Sequence, residues 1–159
     1  MRALQVIYLL VVISLISGCG QSHTALIKKP QKNYSVEIES LVENVLLDGL
    51  PQGVNIANVN NVLLKKINIK LSTNGMNNNT NNIIKAKYEI EYFNHKYIPF
   101  SNVKYGIKYN LELTNKLNGK VFYSQKLGAW DSNLNDLTDE ISNDIIKNIL
   151  KNEKHILAE

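Results

Sequence analysis

The sequence predicts an α+β fold: a two-layer sandwich in which an antiparallel sheet of about four strands carries an N-terminal and a C-terminal helix on one face. Three patterns lead there. Residues 83–93 and 103–114 alternate apolar and polar side chains with period two, as strands with one wet face do. Asn118-Gly119 is a strong short hairpin signal, favouring a type I′ turn, and it joins the second of these strands to a partner at 120–128. In 134–152, Leu134, Leu137, Ile141, Ile145 and Ile149 fall on one helical stripe. The chain has 159 residues, 44% hydrophobic and 20% charged, which is enough for one core and too little for two.

The N-terminus fixes the compartment. Residues 1–18, MRALQVIYLLVVISLISG, place one Arg before an apolar run from Ile7 to Ile16 and close on Ser17 and Gly18. That is the order of a secretory signal peptide, and the run is shorter than the ~20 residues of a membrane-spanning helix. The next residue is the only Cys of the chain. The stretch Leu15-Ile16-Ser17-Gly18-Cys19 resembles the lipobox of bacterial lipoproteins. The resemblance implies cleavage between Gly18 and Cys19 and acylation, palmitate included, of the Cys19 thiol. Each buried methylene adds about 0.8 kcal/mol, so two or three chains make a stable anchor. Gly20 follows the Cys where the family's inner-membrane sorting pattern has Asp. The resemblance therefore implies the outer membrane, with the domain facing the periplasm. A single Cys also excludes an internal disulfide framework and a cysteine metal cluster.

Residues 19–34 read as the lipidated Cys and a flexible, lysine-bearing tether, and 35–159 as a single domain. The spacing of Ile38, Leu41, Val42, Val45 and Leu46 predicts a first helix over 35–48, started by Ser35 and stopped by Gly49 and Pro51. Val54 and Ile56 read as a short strand. Ile67, Ile69 and Leu71 alternate with Asn68, Lys70 and Ser72, which predicts a strand over 62–72. Residues 73–82, TNGMNNNTNN, read as a long loop that buries nothing. In the next strand Ile84, Ala86, Tyr88, Ile90 and Tyr92 share one face, with Lys85, Lys87, Glu89 and Glu91 on the other. In 103–114 the apolar face carries Val103, Tyr105, Ile107, Tyr109, Leu111 and Leu113. The last helix has Asp136, Asp139, Glu140 and Asp144 early and Lys147, Lys151 and Lys154 late, a gradient that suits its macrodipole.

No constellation for catalysis is visible. His23, His95 and His155 are scattered, too far apart for a nucleophile–base pair or a zinc site. No phosphate-binding glycine motif occurs, so no cofactor and no metal are expected. Glu89 and Glu91 alternate with Lys85 and Lys87, which reads as cross-strand ion pairing rather than as the carboxylate pair of a glycosidase. A net charge of +4, lysines interrupted by Glu89, Glu91 and Glu112, and no Arg beyond Arg2 argue against nucleic acid. Two aromatic stretches remain. Tyr97, Ile98 and Phe100 surround Pro99 in a loop, and Trp130 lies in a strand-to-helix connection. They are the candidate partner-binding residues, because exposed aromatics are enriched at interfaces. The alternatives are that the loop packs on its own sheet and that Trp130 plugs the end of the sandwich and covers the last helix.

The stretches VKYGIKYNLELTNKLNGKVFYSQ and LNDLTDEISNDIIKNIL, behind an anchor and a tether, give a layout similar to small envelope lipoproteins. Among these are the YajG-like lipoproteins and the auxiliary lipoproteins of ABC-type transport systems. The resemblance implies a lipid-anchored, non-catalytic envelope lipoprotein that binds another component of a transport, secretion or assembly system. It assigns no residue a role. The alternatives are a surface-exposed adhesin or inhibitor, and a small-ligand or lipid carrier with its pocket between sheet and helices.

Overall fold

Charge across neighbouring strands organises the N-terminal part of the domain. The computed structural model describes residues 30–77, 80–97 and 104–156. The signal peptide, Gly18, Cys19, most of the tether, Ile98 and Phe100 lie outside the described residues. Strand β1 (Ser35–Leu41) and the short β2 (Leu46–Asp48) both lie parallel to β3 (Ile83–Lys96). Strands β4 (Lys104–Asn115) and β5 (Val121–Asp131) follow antiparallel. The sheet order is β1-β3-β4-β5, with β2 also on β3. Helix α1 (Ile56–Thr73) supplies the crossover that parallel strands need, and α2 (Leu134–Lys151) follows β5. A short α3 (Glu153–Ile156) ends the described chain.

The expected α+β sandwich with two helices on one face is present, but its N-terminal part is built differently. The helix expected over 35–48 is two strands. Val36 and Ile38 alternate with Glu37 and Glu39, and the register sets those glutamates opposite Lys85 and Lys87. Lys85 binds Glu39 at 2.6 Å. The sheet is therefore mixed rather than antiparallel throughout. The strand expected over 62–72 is the later part of α1. Val59, Leu63, Ile67 and Leu71 recur every four residues and all are buried. Ile56 opens this helix rather than a strand, and the Asn55 side chain caps it by accepting from Ala57 N–H at 2.8 Å.

Four smaller differences have local causes. The register between β3 and β4 shifts between Ile90 and Tyr92, so Tyr92 turns outward and Phe93 takes the core position. The Asn-rich loop does bury something: Met76 is fully enclosed and its carbonyl accepts from Val36 N–H at 3.0 Å. The β4–β5 hairpin closes through Lys116–Lys120 rather than a two-residue turn. Gly119 sits at φ +69° there, donating its N–H to the Asn115 carbonyl at 2.8 Å. The end of the expected tether is also docked: Tyr34 is fully buried, and Lys32 Nζ pairs with Glu153 at 2.8 Å.

The core lies between sheet and helices. Ile84, Ala86, Tyr88, Ile90, Ile107, Tyr109, Leu111 and Leu113 meet Leu63, Ile67, Leu137, Ile141, Ile145 and Ile149. The two helices run side by side in the same direction. Lys66 reaches the Asn135 carbonyl, while one turn later Lys70 reaches the Asp139 carboxylate at 2.8 Å. One polar relay crosses the core: Tyr88 Oη donates to Asn60 Oδ1 at 2.6 Å, and Asn60 Nδ2 donates to Ser40 Oγ at 3.1 Å.

Candidate functional site

Strand direction gives the molecule two distinct ends. The chain enters the sheet at Ser35, beside Ile83, where the β4–β5 hairpin also turns. The far end holds Lys96 beside Lys104, the start of both helices, Tyr97 and Trp130. At about 3.3 Å per residue, β3 separates the two ends by roughly 43 Å.

The far end carries an aromatic and amide cluster on the outer face of the sheet. Its floor is Gly106, which β-pairing sets between Asn94 and Trp130. A Cβ on Gly106 would lie 2.7 Å from Asn94 Oδ1 and 2.7 Å from the Trp130 ring. Only glycine lets the indole lie flat across the strand here. Tyr92, turned outward by the bulge, donates its hydroxyl to Asp48 Oδ2 at 3.0 Å and accepts from Asn94 Nδ2 at 2.9 Å. Lys108 Nζ stands 5.6 Å from the Tyr92 ring centre, within cation–π range. Asn94 is itself buried, and its Oδ1 has no hydrogen-bond partner among the described residues.

Trp130 is therefore not a plug. It belongs to β5, stands on the face away from the helices, and is 42% exposed. Tyr97 follows β3 directly and is 70% exposed. Leu46, on the neighbouring edge, is exposed as well. The structure thus brings Tyr97 and Trp130 to one end. Asp48, Tyr92 and Asn94 join them there; sequence reasoning sets Asn94 only in the polar rim of the Pro99 loop and misses Asp48 and Tyr92. Their signal is the break in alternation at Glu91-Tyr92-Phe93, where two consecutive aromatics cannot both face the core.

Toward the middle of the outer face lies an open groove of about 320 Å³, with Lys87, Glu89, Glu112 and Lys126 among its lining. Glu91 beside it is an ion-pair carboxylate: Lys126 binds it at 2.9 Å and Asn110 Nδ2 at 2.6 Å, and both hold it below the usual carboxylate range. The expected cross-strand ion pairing is present: Glu91 reaches Lys126 on β5, and Lys85 reaches Glu39 on β1. On the inner face Tyr88 and Tyr109 are fully buried, and burial pushes both hydroxyls far above the ordinary tyrosine value. At Tyr88 and Tyr109 the inner face is packed core. His95 spends Nδ1 on the Gly49 carbonyl at 3.1 Å and packs 5.0 Å from the Tyr105 ring.

No protein-family model matches the chain, and no curated protein matches it. Among solved structures it is similar to protein XCC0632 from Xanthomonas campestris, of the family model DUF330. The TM-score is 0.59 at 9% identity, over 82% of this chain and 91% of that one. A minor lipoprotein from Acinetobacter baumannii gives a TM-score of 0.47 at 15% identity, over 72% of this chain and 94% of its own. The hypothetical protein CT253 from Chlamydia trachomatis gives 0.46 at 10%, over 79% and 99%. What the Xanthomonas likeness shows is a shared fold: a sheet covered on one face by two helices.

Proposed function

We propose that the chain is a lipid-anchored, non-catalytic module of the bacterial envelope, tethered through Cys19 and presenting the far end of its sheet to another envelope component. The host would be transport, secretion or outer-membrane assembly machinery. One observation carries this reading: the chain enters at one end of the sheet, and the exposed Tyr97 and Trp130 stand at the other. An anchor at position 19 would leave that aromatic end pointing away from the membrane, at the height of a neighbouring protein. The cluster around Gly106 offers stacking surface and amide and carboxylate groups, which suit recognition more than reaction.

The test has two parts. Cys19→Ser should give an unprocessed protein that takes up no labelled palmitate and leaves the membrane fraction. A photo-crosslinker at Tyr97 should capture a discrete protein, whereas one at Leu117, on the hairpin beside the chain's entry, should capture lipid or nothing. Capture from Leu117 alone would reverse the orientation proposed. Protease treatment of intact cells separates a periplasmic domain, which survives, from a surface adhesin, which is shaved.

A further inference from the structure

The two edges of the sheet are protected to different degrees. On one side β1 and β2 are separated by residues 42–45, and β1 carries Glu37 and Glu39. Interruption and charge are what natural proteins use to keep foreign strands off an edge. On the other side β5, past a register shift near Phe122, keeps one register from Tyr123 to Asp131 and pairs only with β4 among the described residues. It contains no Pro, and its one lysine, Lys126, is drawn back across the sheet to Glu91. A row of backbone donors and acceptors is left open there.

The helix beside this edge says what could cover it. Asp139 and Asn143 face α1, where Lys70 binds both. One position on, Glu140, Asp144 and Asn148 lie along the β5 side, with Asn148 Oδ1 accepting from Tyr123 Oη at 2.9 Å. Glu140 is raised above the usual carboxylate range by burial first, and then by Asp144 and Asp131. Among the described residues no lysine pairs with Glu140 or Asp144. The open edge therefore runs beneath an uncompensated acidic stripe.

We propose that the edge of β5 receives an extended, basic segment of a partner protein as an added strand, its lysine or arginine side chains set against Glu140 and Asp144. Main-chain hydrogen bonds would supply affinity, and the alternate side chains facing α2 would supply selectivity. A second copy of the chain fits poorly. Pairing β5 with its own copy would bring two acidic stripes together, and like charges across an interface disfavour association. This inference deepens the partner-binding reading. It fails separately from it, since neither acylation nor crosslinking at Tyr97 reports on the β5 edge.

Trp130 is the only Trp of the chain, and its place in β5 makes it a built-in reporter. The experiment titrates the full chain, in neutral detergent, with a nine-residue peptide of alternating Thr and Lys. A saturable blue shift of the indole emission is expected. A peptide of alternating Thr and Glu should give none. Glu140→Gln with Asp144→Asn should weaken binding about tenfold, which is ~1.4 kcal/mol, at an unchanged melting temperature. The Lys peptide N-methylated at every second residue should not bind. Equal binding by the N-methylated peptide would overturn strand addition. Equal binding to the double variant would overturn the charge matching. No shift with the Lys peptide at millimolar concentration would overturn the proposal, as would a stable dimer of the chain that the peptide cannot dissociate.

Discussion

The same three strands, β3, β4 and β5, present two faces that obey different rules. Inward, Ile84, Tyr88, Ile107, Leu111 and Leu113 are sealed beneath two helices. Outward, the contacts are ion pairs between side chains that remain wet: Lys126 is 76% exposed in its pair with Glu91. Exposed pairs of this kind are screened by solvent and contribute little, whereas a fully buried aliphatic side chain contributes roughly 1.5–3 kcal/mol. Stability therefore resides on the inner face. The outer face is free to vary, so an aromatic held there by a glycine floor calls for a reason other than folding.

The largest test of that asymmetry is Ile145→Asp. Ile145 is fully buried in the middle of α2. An unpaired carboxylate there costs several kcal/mol against a total of about 5–15 kcal/mol. The variant should show no cooperative thermal transition by circular dichroism. A normal transition would mean that α2 does not pack on the sheet.

Next in size is the one polar relay of the core. Asn60→Ala strands the Tyr88 hydroxyl without its acceptor, and a buried orphan of this kind costs about 1–3 kcal/mol. Tyr88→Phe removes the orphan, so the double variant should recover part of the loss in a urea-unfolding cycle. Simple additivity would show that the relay is incidental to the fold.

How much of this was legible in the sequence depended on how far a pattern ran. Strand β4 and helix α2 keep one period over more than ten residues, and β3 keeps one from Ile84 to Ile90, with charges on the opposite face, and no competing pattern fits. Residues 35–48 satisfy two patterns at once. Ile38, Leu41, Val42 and Val45 make a helical stripe, while Val36 and Ile38 alternate with glutamates. The choice is made by β3, almost fifty residues away, which pairs along Ser35–Leu41; its Lys85 holds Glu39, while Glu37 reaches Lys116 in the hairpin. The reverse happened in α1, where Ile67, Ile69 and Leu71 mimic a strand although Ile69 is 54% exposed on the helix surface. The Asn55 cap was the local signal available. Tyr97 and Trp130 are conspicuous as aromatics near breaks. Their convergence with Asp48, Tyr92 and Asn94 needs a bulge and a strand pairing that no local window contains.

Gly106→Ala sharpens the outer-face side of the comparison. The new methyl would meet Asn94 Oδ1 and the Trp130 ring at 2.7 Å. Trp130 is half-exposed and can swing away, so the loss should stay near 1 kcal/mol, the low end for overpacking. Its emission should move to the red. Gly128→Ala is the control, since its Cβ would meet only ordinary contacts at 3.5 and 3.6 Å. An equal red shift from both would mean that Gly106 is not the floor of the cluster.

The smallest effect on stability, and the largest expected on partner recovery, belongs to Tyr97→Ser with Trp130→Ser. Truncating two core aromatics would cost ~3–5 kcal/mol each and would collapse the melting temperature. Tyr97 is 70% exposed and should contribute almost nothing. Trp130 does more, because it lies over Gly106 and shields Asn94. Its removal also admits water to the unpaired Asn94 Oδ1, which offsets part of the lost packing. The net change should be below about 1 kcal/mol, a shift of a few degrees by calorimetry. Recovery of the partner by affinity capture from gently solubilised membranes should fall to background over the same change. A sharp drop in melting temperature would instead return both aromatics to the fold and erase the distinction between the two faces. Full stability with full partner recovery would leave the fold as drawn and move the contact surface away from the far end.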